Sequence, residues 1–161
     1  MKVLIVSDTH GRDKYLFQTI QKVKPIDLMI HLGDFGGTAE YIKSLIDFPV
    51  EMVSGNNDLF IGQPKDKVIR IGDYTVYLTH GHKYGVYYNT YQIKEAARIR
   101  QADIVMFGHT HVPMIDLKDD IWAINPGSIA LPRQSNRIPT FIIMDIDREG
   151  MAHFTLNHCN E

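Results

Sequence analysis

Seven residues of this chain stand in polar breaks that each follow a short apolar run: Asp8 and His10, Asp34, Asn56, His80, and the pair His109 and His111. All are ligand types for borderline divalent cations. Taken singly they mean little. An Asp in a strand-to-helix loop is an ordinary turn former or helix cap. Asn56 reads as a turn residue, His80 as a partly buried loop histidine, and His109 and His111 as exposed residues of one turn. Five separate breaks carry them, however, and it is the repetition that points to a shared cation site.

The elements that must deliver these residues can be read from the apolar pattern. Val3 to Val6 is an unbroken apolar run, the mark of a strand buried on both faces, and it ends in Ser7-Asp8-Thr9-His10-Gly11. Residues 13 to 24 carry Leu16, Phe17, Ile20 and Val23 at helical spacing, with Asp13 as a cap and Pro25 closing the segment. A second strand, Asp27 to Leu32, ends in Gly33-Asp34, with His31 inside it as a core residue. Thr38 can cap a second helix whose buried face is Tyr41, Ile42, Leu45 and Ile46. A third strand, Val50 to Val53, ends in Ser54-Gly55-Asn56-Asn57-Asp58. Three successive strand ends therefore meet at one edge, where open α/β sheets bind ligands.

After a loop from Leu59 to Lys67 the rhythm changes. Val68 to Ile71 and Tyr74 to Thr79 flank a turn at Gly72-Asp73, and the second run leads into His80-Gly81-His82. A third helix spans Thr90 to Gln101, with Tyr91, Ile93, Ala97 and Ile99 as candidates for burial. Ile104 to Phe107 stops at Gly108-His109-Thr110-His111. Met114 to Leu117 and Ile121 to Ile124 follow, then Asn125-Pro126-Gly127-Ser128 breaks the strand pattern. Thr140 to Ile146 and Ala152 to Leu156 make a closing hairpin, with His153 facing solvent. The expected fold is α/β: two sheets packed face to face as a β-sandwich flanked by helices, in four α-β-β-α layers.

With 161 residues, 44% hydrophobic and 22% charged, the chain is expected to form one domain over residues 1–161. A formal net charge of −2 and the lack of a continuous Lys/Arg stripe argue against binding duplex nucleic acid. Cys159 is the only cysteine, so an intramolecular disulfide is impossible. No apolar run is long enough to span a bilayer, and the expected location is the cytoplasm. The tyrosines at 84, 87, 88 and 91 are compatible with an interface between copies, a pocket wall or core packing.

The ordered set D-x-H, G-D, G-N-x-D, H and G-H-x-H resembles the calcineurin-like metallophosphoesterases. The S-D-T-H-G opening, the T-H-G-H segment and the N-P-G-S segment are similar to the small bacterial and archaeal phosphodiesterases of that superfamily. The resemblance covers essentially the whole chain. It implies two divalent metal ions, with Mn2+ preferred among Mn2+, Ni2+, Fe2+, Zn2+ and Co2+. Asp8, His10 and His111 would hold one ion, Asn56, His80 and His109 the other, and Asp34 would bridge them. It implies hydrolysis of a small phosphodiester through a hydroxide held between the metals.

One departure from the family pattern bears on chemistry. Many members carry a histidine at the third position of G-N-x-D, and here that position is Asn57. Asparagine can donate a hydrogen bond to phosphate but cannot act as a general acid. Esters with good leaving groups are therefore expected unless His82 supplies the proton; an orienting role for His82 is the alternative. Asp58 is expected to fix the loop or orient a histidine, and Arg12 and Arg133 to receive phosphate oxygens. Two other readings stand beside the enzyme: a scaffold like the retromer subunit of this fold, which would predict missing ligands, and a nuclease for short single-stranded or cyclic nucleotides.

Overall fold

A computed structural model describes residues 1–37, 39–58 and 62–159. The expected Thr38 cap and the first residues of the 59–67 loop lie outside them. The elements, in chain order, are β1 (Lys2–Val6), α1 (Lys14–Val23), β2 (Leu28–His31), α2 (Ala39–Ser44), β3 (Val50–Met52), β4 (Asp66–Ile71), β5 (Tyr74–Thr79), α3 (Tyr91–Ile99), β6 (Ile104–Met106), β7 (Pro113–Asp116), β8 (Trp122–Pro126), β9 (Thr140–Ile146) and β10 (Ala152–His158). Two five-stranded sheets result, in the orders β10-β9-β1-β2-β3 and β4-β5-β6-β8-β7. Each is mixed, with a parallel centre: β1, β2 and β3 in one, β5, β6 and β8 in the other.

The apolar runs are unbroken because both faces of the central strands are covered. Along β1, Val3 and Ile5 join Leu28, Ile30, Val76, Leu78, Ile104 and Met106 in the core between the sheets. Leu4 and Val6 point the other way, onto Leu16, Ile20 and Ile42 of the first two helices. On the far side of the second sheet, Tyr77, Val105 and Phe107 meet Ile93 and Ala97 of α3. Three apolar layers thus separate four layers of structure, the α-β-β-α order expected from sequence.

Both expected helix faces need correction. In α3, Ile93, Ala96 and Ala97 are buried, while Tyr91 and Ile99 are exposed. At 100° per residue those two lie about 160° and 120° around the helix from Ile93, so they cannot share its face. In α2, Ala39 and Ile42 are buried and Ile46 packs beside them, whereas Tyr41 and Leu45, one position off that stripe, are exposed. Asp13 precedes α1 but caps it through its carbonyl, which accepts the Phe17 N–H, with no side-chain cap bond.

Most strand bounds differ by a residue or two, and two differences bear on the sequence reading. β4 begins at Asp66, inside the segment read as loop, where Asp66 and Lys67 pair with Thr79 and Leu78. β8 continues through Asn125 and Pro126 instead of breaking there. Its neighbour β6 ends opposite Ile124, so the missing N–H of Pro126 interrupts no ladder on that side. Of the four tyrosines, Tyr84 is partly buried against the α3 core, and Tyr87, Tyr88 and Tyr91 are exposed.

Candidate metal centre

The loops after β1, β2, β5 and β6 are stitched together beyond the strands that deliver them. The Asp8, His10 and Gly11 N–H groups donate to the carbonyls of Gly33, Asp34 and Phe35, at 3.0, 2.9 and 2.8 Å. Within the second sheet Gly108 N–H reaches the His80 carbonyl at 3.0 Å, and between the sheets Ile129 N–H, beyond β8, reaches the Ser7 carbonyl, beyond β1, at 3.2 Å. Both sheets therefore converge at one end on a common site.

Five of the candidate ligands adopt left-handed backbone: Asp8 (φ 57°), His10 (48°), Asp34 (55°), His109 (68°) and His111 (59°). Non-glycine residues avoid this region, at a cost of roughly 1–2 kcal/mol each, and residues held there cluster at functional sites. Space is also reserved by glycine. A Cβ on Gly55 would strike the Asp34 carboxylate, and one on Gly108 would strike the Ser7 hydroxyl and lie 2.8 Å from Asp8 Oδ2.

The imidazoles close around two carboxylates. His111 Nε2 lies 3.1 Å from Asp8 Oδ1, with His10 Nε2 at 3.8 Å and His80 Nε2 at 4.0 Å from the same oxygen. Asp34 Oδ2 lies 3.5 Å from His80 Nε2 and 3.7 Å from His10 Nε2. The opposite nitrogens of two rings are engaged: His80 Nδ1–H donates to the Leu32 carbonyl and His111 Nδ1–H to that of Leu131, both at 2.7 Å. Those bonds direct the Nε2 lone pairs of the neutral rings inward. Asp8 Oδ1 and His80 Nε2 are buried without a hydrogen-bond partner. Buried polar atoms are rarely left so, and here both belong to trios whose ligand atoms lie within 4.8 Å of one another: Asp8, His10 and His111, and Asp8, Asp34 and His80. The donor set fits divalent cations.

Electrostatics favour the ionised carboxylates. Burial works to raise Asp34, but the His80 imidazole 3.5 Å away and two Asn57 donors outweigh it and hold the carboxyl well below its usual range. Asp8 is lowered too, against its burial, by His111 and His80. His80 is raised despite burial by the Asp34 carboxylate 3.5 Å away and the Asp8 carboxylate at 4.0 Å. Burial, aided by the His80 charge, prevails at His109, pushed down to about 4, and at His82, also lowered.

The remaining candidates are placed as follows. His109 stacks edge-on against His80, ring centroids 5.2 Å apart, and its N–H donates to Asp8 Oδ2 at 3.1 Å. Asn56 is exposed on the loop after β3. Asn57 donates to both Asp34 oxygens, through its N–H at 2.9 Å and its amide at 2.6 Å. His82 lies 5.7 Å from the His80 ring, with Nδ1 buried and unpartnered. Arg12 is exposed beside the first loop, and Arg133 donates from Nη1 to the Tyr87 hydroxyl at 2.9 Å. Asp58 meets no histidine. Its two oxygens accept the N–H groups of Asp34, Phe35, Gly36 and Gly55 at 2.5, 3.0, 3.2 and 2.8 Å, leaving the carboxylate committed to the loops.

Sequence reasoning gave no role to Asn125 and Ser128, which are fully buried supports of the site. Asn125 donates to the Gly108 carbonyl at 2.8 Å and Thr110 Oγ1 at 3.1 Å, and Ser128 Oγ donates to the Asp8 carbonyl at 2.7 Å. The N-P-G-S segment was visible as a motif, but only its landing beside both ligand loops shows its use.

His31 lies behind the site, fully buried, with Nε2 3.2 Å from Thr9 Oγ1 and Nδ1 accepting the Gly33 N–H at 3.3 Å. Burial pushes it down from 6.5 to about 4. As pH falls below 6.5 the unfolded chain takes up a proton that the folded chain refuses, so stability is lost down to about pH 4 and then levels. At 1.36 kcal/mol per pH unit the loss is about 3 kcal/mol. Urea unfolding of the metal-free protein checks this: the parent should lose that much more than His31→Asn between pH 6.5 and 4. Parallel profiles would contradict it.

Comparison with known proteins gives this geometry a context. The calcineurin-like phosphoesterase superfamily domain matches residues 1–149. The probable metallophosphoesterase YsnB of Bacillus subtilis is 36% identical over 153 residues, covering 93% of this chain and 87% of that protein. The phosphodiesterase MJ0936 of Methanocaldococcus jannaschii is 27% identical over 174 residues, covering 97% and 99%. Among solved structures, vacuolar protein sorting 29 from Cryptosporidium parvum superposes with a TM-score of 0.77 over 99% of this chain and 98% of its own, at 20% identity, a likeness of fold alone.

Proposed function

The chain belongs to the calcineurin-like phosphoesterase superfamily, and from that premise we propose that it is a metal-dependent phosphoesterase acting on small phosphodiesters. The observation that carries the reading is the pair of buried, unpartnered ligand atoms, Asp8 Oδ1 and His80 Nε2, at the centre of the converging imidazoles. We assign one ion to Asp8, His10 and His111 and the other to Asn56, His80 and His109, with Asp34 between them. Bound divalent ions supply Lewis acidity at phosphorus and an acidified water.

The chain's own residues do the rest. The αL loops, tied to one another by backbone hydrogen bonds, hold the ligand side chains in place, which limits reorganisation. Asn57, with one amide N–H already given to Asp34, is assigned to offer the other to a phosphoryl oxygen, and Arg12 and Arg133 to add positive charge. Asn57 has no proton to release, so leaving groups of low basicity are favoured; His82, with Nδ1 unpartnered beside His80, is assigned to hold or orient the proton. The name of the M. jannaschii relative supports diesters over monoesters. The acting unit we propose is one domain over residues 1–161, in the cytoplasm, with Mn2+ the preferred ion. The scaffold reading predicted missing ligands, and Asp8, His10, Asp34, His80 and His111 are assembled.

Metal-stripped protein is the test, assayed on a chromogenic phosphodiester and its matching monoester with Mn2+, Ni2+ or Zn2+ restored and bound metal counted. The expected result is two ions per chain and turnover that needs them, greater on the diester. Metal-independent turnover, or bound metal with neither ester hydrolysed, would overturn the assignment.

A further inference from the structure

A cleft of about 340 Å3 opens beside the metal-ligand loops, lined by Val86, Tyr87, Thr110, Val112, Pro113 and Met114. Thr110 is the residue between His109 and His111, so the cleft and the candidate metal centre share one loop. The lining is apolar apart from Thr110, and that hydroxyl is already engaged: it donates to the Val112 carbonyl at 3.1 Å and accepts from the Val112 N–H at 3.2 Å and Asn125 Nδ2 at 3.1 Å. The side chains that line the cleft therefore offer no uncommitted hydroxyl to an occupant.

Tyr87 forms the wall nearest the metal centre. Its hydroxyl donates to the His109 carbonyl at 3.0 Å and accepts from Arg133 Nη1 at 2.9 Å, and its ring lies 5.0 Å from that of His109 at 64°. Arg133 is fixed in turn by its own N–H, which donates to the His111 carbonyl at 3.0 Å. Although exposed, Tyr87 is thereby tied at its tip to both ligand residues and presents a flat, anchored ring with its polar atom satisfied.

We propose that this cleft is the subsite for an uncharged aromatic substituent of the phosphoester, packed against Tyr87, Val112 and Met114 while the phosphoryl group lies at the ligand cluster. This rests on the phosphoesterase reading and adds a substrate class to it. An apolar cleft with saturated polar atoms rejects charged or hydroxylated groups because it cannot replace their water, and a wall of fixed aromatic face favours a planar partner. The Arg133 charge stands at the mouth, on the side of Tyr87 that faces the metal-ligand loop, where it suits a phosphate and not the substituent.

Calorimetric titration of the metal-loaded protein with phenylphosphonate and methylphosphonate tests the subsite, with turnover of methyl 4-nitrophenyl phosphate followed in parallel. Phenylphosphonate should bind at least about tenfold more tightly. The double variant Val112→Asn/Met114→Gln keeps volume and adds no charge beside the histidines. It should bring the two ligands to within about threefold. Val112→Asn alone, at an exposed position, should give an intermediate ratio and guards against loss of folding at Met114. Equal binding of the two phosphonates, or a preference unchanged in both variants, would overturn the subsite while turnover of the ester upholds the phosphoesterase. Absent turnover with a variant-sensitive phenyl preference would do the reverse.

Discussion

Replacing Asp34 with asparagine is expected to lower metal-dependent ester hydrolysis by at least about 10³-fold and to remove most of the metal affinity. Asp34 lies within reach of both sides of the cluster, 3.7 Å from His10 and 3.5 Å from His80, closer to each than Asp8 Oδ1 at 3.8 and 4.0 Å. It is held ionised against its burial by His80 and Asn57. Asparagine keeps the shape, removes that charge, and turns one acceptor oxygen into an amide nitrogen facing the Asn57 donors. Metal content measured alongside initial rates decides the matter. A variant that keeps both would remove Asp34 from the centre.

The second large effect is on folding. Asp58→Asn should cost on the order of 3–5 kcal/mol, read as a lowered urea midpoint in the metal-free protein. The Asp58 carboxylate is buried and accepts four backbone N–H groups from two loops, those of Asp34, Phe35, Gly36 and Gly55. An asparagine amide has one oxygen, and its nitrogen would point donors at donors. Asp34→Asn, by contrast, disturbs two Asn57 donors and the His80 contact instead of four buried backbone groups, and should lower the metal-free midpoint clearly less. If the two variants behave alike in the absence of metal, the separation between loop clamp and ligand is mistaken.

How much of this was legible beforehand follows from what each signal measures. The apolar runs within β1, β5 and β9 report burial, a local property, and the strand bounds were close or identical to those read from sequence. The four-layer arrangement followed because those runs alternate with helices early and with tight turns late. Faces of short helices were harder, since Tyr91 and Ile99 are apolar enough to attract assignment although they lie around the helix from Ile93. The polar breaks showed that ligand-type residues meet at strand ends. They could not show that Asp58 binds backbone instead of a histidine, because Asp followed by any loop looks the same in sequence. Asn125 and Ser128 were hidden for a similar reason: their partners, the Gly108 and Asp8 carbonyls, are 17 and 120 residues away.

The left-handed conformation shared by Asp8, His10, Asp34, His109 and His111 has a kinetic meaning. A loop that must fold around an ion makes loading slow and release slower, because each event waits for the chain. Here the unfavourable dihedral angles are braced by the protein's own hydrogen bonds between loops, such as those from Asp8 to Gly33 and His10 to Asp34. Exchange of one divalent ion for another is then limited by shedding water from the ion, and the cell's free-ion concentrations, more than any rearrangement of the protein, decide which ion resides in it.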